Sequence, residues 1–558
     1  MSVYRDRLRE IYNKTMLGSA WFSWYDFPSL EHVLLVGDIA EESRNELKRK
    51  FAKVTQFSRW EFCTKEKFSA ILVGDGLGDG EKNKAFLQSC RQFLTDDGVL
   101  LWAVDNKMGS RFLVGDSHLG NESEYYNRVQ WENYFTEAGM QPVRVYYLLP
   151  GWHCARTVLT DRWYDLATDT FYRIKSCSVE PEHIFGNEHL LLQDVVECHG
   201  LSLMANSFLF EYRLAEKDNE IVYADMSPDK GRDLSSVLIC YSNETVSKRP
   251  LYHGGSVRNI YRYGEELRQR GLPVIKQVYE DNRITMPFVK QPLVSKVMAR
   301  AARESVADYR KLWEKFWGCI LKSSELSREN EFPIKNIDCG VNLAKAYLDM
   351  VPTNAFFVDG EFVFFDQEYC CANYPAKFVL YRAMVLLYST EKELECLVPL
   401  AEVKKWFDME EVWAAFHYVD QEHFVKKVKN NGLYAEFNKR YVSHVQTISR
   451  NKRVLANIDK YAEEDLFADT EGKDLVIFGS GEYFARYWEK YGSKHPPLFI
   501  IDNDEKKWHT VKCGFCIESP DALKAKDKKG FVVIICSKHN LEMAKQLESM
   551  GIKDYRVF

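Results

Sequence analysis

Three oxygen-bearing side chains stand close together in residues 347–369, YLDMVPTNAFFVDGEFVFFDQEY. Asp349 and Asn354 form an Asp–x4–Asn pair, and Asp366 follows a short apolar run. Carboxylates and an amide oxygen are the hard donors that Mg2+ prefers. Phosphoryl transfer needs one acid to accept or orient the attacking hydroxyl, and metal ligands to neutralise the phosphates. On that chemistry Asp349 is the candidate catalytic group, and Asn354 and Asp366 are the candidate Mg2+ ligands. The plainer reading is structural. Asp359-Gly360 between NAFFV and EFVFF is a two-residue turn signal, so the segment also reads as a β-hairpin flanked by surface acids. A hairpin and a site are compatible.

The stretch resembles the aminoglycoside phosphotransferase and choline kinase superfamily, a branch of the protein-kinase-like fold. DMVPTN stands where that family has its catalytic-loop Asp–x4–Asn, and FFDQEY where it has the metal-binding Asp followed two residues later by a Glu. The resemblance implies Asp349 as the catalytic residue, Asn354 and Asp366 as metal ligands, and ATP with Mg2+ as cofactors. Tyr347 is a departure, because the family usually has His there.

Such a site needs a small lobe upstream. SSVLICYSN (235–243) and TVSKRPL read as strands, SVRNIYRYGEELRQRG (256–271) as an amphipathic helix, and VIKQVYEDN and RITMPFV as two further strands. Lys248, with Glu265 or Glu266 on the helix, has the spacing of the kinase-like Lys–Glu pair that reaches the phosphates; Arg249 is the rival to Lys248. Met286-Pro287-Phe288 is expected at the hinge beside adenine. Downstream, RESVADYRKLWEKFWGCILKSSEL, KFVLYRAMVLLY and the stretch after MEEVWAAF are periodic helices of a large lobe. His417, His423 and His444 lack metal-ligand company and read as surface or packing residues.

The first third alternates strands and helices: VLLVG (33–37), FSAILVGDGLGDG (68–80) and VLLWAVDN (99–106), with helical spacing between them. That alternation predicts a parallel sheet with helical crossovers, whose ligands bind beyond the carboxyl ends of the strands. DDGVLLWAVDNKMG, WENYFTEAGMQPVRVYYLLPGW and TVLTDRW are similar to the class I S-adenosylmethionine-dependent methyltransferases over roughly residues 20–175, in the variety encoded with bacterial surface-polysaccharide enzymes. In LLVGDIAEES only Gly37 precedes the bulky Ile39, where that family has a Gly-rich turn. KVTQFSRW offers no acid for the ribose hydroxyls. S-adenosylmethionine binding is therefore expected to be weak or lost.

At the C-terminus, KDLVIFGSGEYFARYWEKYG (473–492) runs from a strand through Gly479-Ser480-Gly481 into a helix. PLFIIDNDEKKW (497–508) then ends a strand in Asp502, and GFVVIICS (530–537) is a third strand. A Gly turn with a downstream acid fits nucleotide binding, although the full GxGxxG is not present. The segment resembles small Rossmann-like domains attached to bacterial surface-polymer transferases. That implies Gly479, Gly481 and Asp502 as contacts for a nucleotide or nucleotide-sugar; a docking module with an empty pocket is the alternative.

Length and composition bound these readings. The chain has 558 residues, 46% hydrophobic and 28% charged, with a net charge of −6. That suits several domains of a soluble chain and gives no polyanion-binding surface, so no nucleic-acid partner is expected. The charged N-terminus reads as no signal peptide, and no apolar run approaches the ~20 residues of a membrane span. The 14 cysteines are scattered, and Cys513-Gly-Phe-Cys516 is the single CxxC, so structural thiols in a reducing cytoplasm are expected. The expected architecture is α/β and multidomain: a methyltransferase-like Rossmann domain over 1–175, a kinase-like domain over 176–465, and a small Rossmann-like domain over 470–558. The expected function is ATP- and Mg2+-dependent phosphorylation of a sugar, polyol or amino-alcohol in surface-glycopolymer synthesis. Its partners would be a small-molecule or glycan acceptor and other surface-polysaccharide enzymes, and its location cytoplasmic, or at the inner membrane face through those partners. The alternatives are a methyltransferase acting on a surface polysaccharide and a catalytically silent nucleotide-binding scaffold.

Overall fold

The computed structural model describes residues 3–37, 39–57, 66–74, 80–117, 125–140, 142–165, 178–214, 221–428, 433, 436–437, 447–452, 463–525 and 530–558. His444 and the GLGDG turn after the 68–74 strand fall mostly or wholly outside these residues. The chain forms two compact units, Met1–Ile448 and Ser449–Phe558.

The first unit is organised by one sheet. Its strands are β1 (His32–Gly37), β2 (Lys53–Phe57), β3 (Phe68–Gly74), β4 (Leu94–Asp105), β5 (Arg144–Leu149), β6 (Thr157–Leu159), β7 (Ser207–Arg213), β8 (Ile221–Met226), β9 (Ser236–Tyr241), β10 (Thr245–Pro250), β11 (Val278–Glu280) and β12 (Arg283–Pro287). They lie in the order β11-β12-β10-β9-β8-β6-β5-β7-β4-β3-β1-β2, twelve strands in all. β2, β1, β3 and β4 are mutually parallel, and β7 runs antiparallel between β4 and β5.

β1, β3 and the 99–104 part of β4 are apolar at nearly every position because both of their faces are covered, whereas the edge strand β2 is only half buried. Alternate residues serve opposite cores, as the two-residue period of a strand requires. Leu34, Val36, Ile71, Val73 and Trp102 pack on one side with Phe86, Leu87 and Trp131 of helices α2 (Gly80–Phe93) and α3 (Arg128–Glu137). Val33, Leu35, Ala70 and Leu72 pack on the other with Leu47 of α1 (Glu41–Lys50). Each such side chain taken fully out of water contributes roughly 1.5–3 kcal/mol.

The expected boundary at 175/176 does not separate two sheets. β7 lies beyond it in sequence, yet it is the strand between β4 and β5. β6 pairs with β8 through Thr157↔Asp225, Val158↔Ala224 and Leu159↔Tyr223, so strands β8–β12 continue the sheet that β1–β4 begin. Hydrophobic periodicity marks strands but not their partners, which is why the join was not legible in the sequence.

Helix α4 (Arg258–Gln269) follows β10. After β12 the chain enters a helix-rich lobe with α5 (Val294–Glu304), α6 (Val306–Lys322), α7 (Ala376–Thr390) and α8 (Trp413–Val419). Its core gathers Trp313, Phe316, Tyr347, Phe364, Phe378 and Phe416. β13 (Leu326–Ser327), β14 (Asn342–Tyr347) and β17 (Cys370–Pro375) make a small sheet, and β15 (Ala355–Val358) pairs with β16 (Glu361–Phe364). Asp359 (φ 49°) and Gly360 (φ 82°) make the left-handed two-residue turn that a tight hairpin needs.

The second unit contains β18 (Asp474–Phe478), β19 (Phe499–Ile501), β20 (Val511–Lys512), β21 (Phe515–Glu518), β22 (Phe531–Ile535) and β23 (Tyr555–Val557), in the order β20-β21-β19-β18-β22-β23. All its pairings are parallel except the β20–β21 hairpin, whose tip carries Cys513. Helices α9 (Glu482–Tyr491) and α10 (Asn540–Ser549) supply Phe484 and Leu547 to its two cores. Among the described residues, no helix of the chain is long and apolar enough to cross a membrane.

Candidate functional site

The chain leaves β14 at Tyr347 and turns through Asp349 into a short 3-10 turn, Pro352–Asn354, before the β15–β16 hairpin. The hairpin returns it to Asp366 beside its starting point. Backbone and side-chain bonds lock this loop. Asp349 Oδ2 accepts from the N–H groups of Glu368 (3.0 Å) and Tyr369 (3.1 Å). The Gln367 amide donates to the carbonyls of Asp349 (3.1 Å) and Phe365 (2.8 Å). The Asn354 amide donates to the carbonyls of Asp349 (3.3 Å) and Asp366 (3.4 Å), which leaves Asn354 Oδ1 as its ligand atom. Asp366 sits at φ 56°, in the left-handed region that Asp tolerates better than most residues.

Lys248 reaches this loop from β10, the third strand of the β8–β9–β10 meander. It is 5% exposed and is ion-paired to Asp366 and, at 2.7 Å, to Glu368. Lys230, from the loop between β8 and β9, pairs with the same Glu368. Arg382 of α7 donates to the Leu348 carbonyl (3.0 Å), pairs with Asp420, and lies 3.6 Å from Asp349. These groups surround a cavity of about 470 Å3 whose lining includes Lys230, Lys248, Asp349, Asn354, Asp366 and Glu368, and which Leu386 and Phe424 close with an apolar wall. Its size falls in the ordinary range of small-molecule sites.

The electrostatics divide the acids. Burial pushes the Asp349 carboxyl up to about 6; Arg382 opposes this, and the neighbouring Glu368 charge adds to it. Burial also acts on Glu368, but Lys230 and Lys248 outweigh it and hold that carboxyl down at about 2. Desolvation works against both ammonium groups, yet Asp366 and Glu368 keep Lys230 and Lys248 above the usual lysine value. One carboxyl is thus poised near neutral pH while its neighbour stays ionised, a division of acid and base roles found in catalytic sites.

The set holds oxygen donors of the kind that Mg2+ takes. No three His, Cys, Asp or Glu side chains form a metal-binding group among the described residues. Mg2+ does not require one, because it keeps several waters and is held by one or two carboxylates together with substrate phosphates. Asp366 and Asn354 Oδ1 are the ligands available, and Lys230 and Lys248 are the cations able to face phosphate oxygens.

Several expected contacts are not made. Glu265 pairs with Arg268 on its own helix. Glu266 accepts from Lys345 Nζ (2.9 Å) and Tyr347 Oη (2.7 Å). Neither meets Lys248; Glu368 takes that place. The reason is geometric, since Tyr347 reaches across to α4 where a shorter side chain would not. Met286 is buried in β12 opposite Val246, and the cavity lining does not include it. Arg249 is on the other face of β10, 3.0 Å from Asp26, which decides between it and Lys248 as the cavity-facing cation.

Gly37 (φ 102°) stands at the end of β1, where an added Cβ would meet the Gly74 carbonyl at 2.4 Å. A Cβ on Gly74 would meet Ile39 and Trp152 at 3.1 Å. Those two buried side chains lie against the carboxyl end of β3; residues 58–65 and 75–79, which follow β2 and β3, are outside the described residues.

In the second unit Gly479, Gly481 and Asp502 come together at one end of the sheet. Asp502 Oδ2 accepts from Ser480 N (2.8 Å) and from the Ser480 hydroxyl, and Lys507 lies 3.2 Å away. Burial raises the Asp502 carboxyl, but these partners outweigh it and hold it below the ordinary value. Gly479 (φ 106°) packs against the Cys536 carbonyl, whereas nothing lies within 4 Å of a Cβ at Gly481. The acid thus braces the turn, and open space is left only over Gly481.

Reading the residues in order missed Lys230 and Arg382. Lys230 stands in a loop with one glycine, SPDKGRDLS, which carries no phosphate-loop spacing. The Arg382–Asp420 pair joins residues 38 apart and leaves no local pattern.

No family model matches the chain, and no curated protein matches it. Among solved structures it is similar to a SAM-dependent methyltransferase from Leishmania major, with 12% identity, 25% of this chain and 75% of that chain covered, and a TM-score of 0.19. It is similar to an O-methyltransferase from a trans-AT PKS multienzyme of Brevibacillus brevis in complex with S-adenosyl-L-homocysteine, with 12% identity, coverage of 36% and 72%, and a TM-score of 0.20. It also resembles mitomycin 7-O-methyltransferase, at 12% identity and a TM-score of 0.18, where 23% of this chain spans about half (49%) of that one.

Proposed function

We propose that the chain is an ATP- and Mg2+-dependent phosphotransferase whose site lies between the β8–β12 strands and the helix-rich lobe. The observation that carries this reading is the convergence of Lys248, Asp349, Asn354 and Asp366 on one cavity. Asp366 and Asn354 hold the metal, which neutralises phosphate charge when bound. Lys248 faces the phosphates, oriented by Glu368. Asp349, fixed by two backbone N–H groups and poised near neutral pH, accepts the proton of the acceptor hydroxyl. As it does so, that oxygen bonds to the transferred phosphorus and the bond from phosphorus to the departing ADP oxygen breaks. The acceptor is a sugar, polyol or amino-alcohol, and surface-glycopolymer synthesis is the setting that the sequence resemblance suggests.

The second reading, methyl transfer to a polysaccharide, has the parallel β1–β4 sheet in its favour and the side chains of Ile39 and Trp152 against it. A thermal-shift and calorimetric panel separates the two. Mg–ATP at 100 times its Kd adds about 2.7 kcal/mol of apparent stability, and S-adenosylmethionine is expected to add none. Asp366→Asn keeps shape and fold but loses metal-dependent ATP binding. Unchanged Mg–ATP binding in that variant, or stabilisation by S-adenosylmethionine alone, would overturn the assignment.

A further inference from the structure

The loop between β8 and β9, residues 227–235, borders the cavity through Ser227 and Lys230. Here it has a single glycine, Gly231 (φ 80°). Its distinctive contribution is a side chain. Lys230 reaches from the loop to Glu368 and stands 5.9 Å over the Tyr369 ring. It lines the same cavity as Lys248, Asp349 and Asp366. Two lysines thus share Glu368, although Lys248 already has a second carboxylate partner in Asp366. The charged groups that line the cavity are four cations (Arg156, Lys230, Lys248, Arg382) and five carboxylates (Asp225, Asp349, Asp366, Glu368, Asp420). A divalent cation on Asp366 turns that balance positive, which leaves cationic charge to meet polyphosphate.

We propose that Lys230 is a phosphate-binding residue, which leaves Glu368 for the terminal phosphates of the nucleotide when Mg2+ takes Asp366. The inference rests on the phosphotransferase reading. A lysine suits the role because its ammonium is a compact charge on a flexible stem that can change partners within a loop. Glu368 is then a positioning residue that keeps Lys248 in place when Lys230 departs.

The experiment measures affinities of Mg–ATP and of adenosine for the full chain as wild type, Lys230→Gln and Lys230→Arg. Losing one charge-assisted hydrogen bond weakens binding roughly ten- to hundredfold. That loss is expected for Mg–ATP with Lys230→Gln, while adenosine affinity stays unchanged and Lys230→Arg retains most of the ATP affinity. Equal losses for ATP and adenosine would make Lys230 merely structural, and no loss for ATP would remove it from the site; either result overturns the inference while the phosphotransferase reading stands. A wild type that binds adenosine but gains nothing from the phosphates and Mg2+, or binds neither ligand, sinks both.

Discussion

Replacing Asp349 with Asn should make the protein more stable and less active. The carboxyl ordinarily titrates near 3.8 and is pushed up to about 6 by burial, so the folded protein holds this proton more tightly than the unfolded chain does. Between those two values the folded state binds more protons, so stability falls as pH rises through this window, and the full cost is present above about 6. At ~1.36 kcal/mol per pH unit the cost approaches about 3 kcal/mol at pH 8. Asp349→Asn removes the charge yet keeps an oxygen to accept from the N–H groups of Glu368 and Tyr369. Arg382 keeps Asp420. The variant should therefore gain up to about 3 kcal/mol at pH 8, and the gain should shrink towards pH 4. Turnover should fall by roughly 10²–10⁴, the usual contribution of a positioned base, and the rise of wild-type activity through pH ~6 should vanish. Urea titrations followed by tryptophan fluorescence at pH 4, 6 and 8, with ATP turnover on candidate acceptors, test both parts. A variant no more stable than wild type at pH 8, or a gain that does not change with pH, would refute the electrostatic argument; undiminished turnover would refute the catalytic one.

Two further predictions concern the other parts of the chain. Calorimetry of the wild type should detect weak S-adenosylmethionine binding or none, because β1 lacks the Gly-rich turn and Ile39 and Trp152 pack against Gly74 at the end of β3; micromolar affinity would refute this. In the second unit Gly479→Ala should destabilise by more than 1 kcal/mol, since it sets a Cβ against the Cys536 carbonyl in a left-handed backbone, whereas Gly481→Ala should stay within about 0.5 kcal/mol. Equal effects of the two substitutions in urea unfolding would contradict the packing described at that turn.

The sequence was most legible where chemistry and local geometry coincide. Asp349, Asn354 and Asp366 are separated only by a hairpin, so their spacing nearly dictates that they meet. Lys248 could be narrowed to one of two neighbours, and the alternation of β10 settled which faces the cavity. Glu265 was misleading because helical spacing places a carboxylate on α4 but says nothing of what α4 faces, and the length of Tyr347 decided that. Lys230 and Arg382 act through contacts across large sequence separations, which no periodicity records. The strand alternation of the first third was readable for the same reason that β7 was not: crossover helices leave a rhythm, whereas a late strand inserted into an existing sheet leaves none.

The pairing of β6 with β8 has a mechanical meaning. The segment β8–β12 that borders the cavity is hydrogen-bonded, strand to strand, into a much larger plate. Tilting it alone would break the Val158↔Ala224 neighbourhood and leave backbone groups of a central strand unpaired. The segment therefore moves only with the whole plate. The helix-rich lobe is tied to it as well, through the Ile275 N–H to the Phe364 carbonyl (3.0 Å), the Phe364 N–H to the Pro273 carbonyl (2.9 Å) and the Lys248–Asp366 pair. The β1–β7 part of the sheet thus lends stiffness to the strand that carries Lys248.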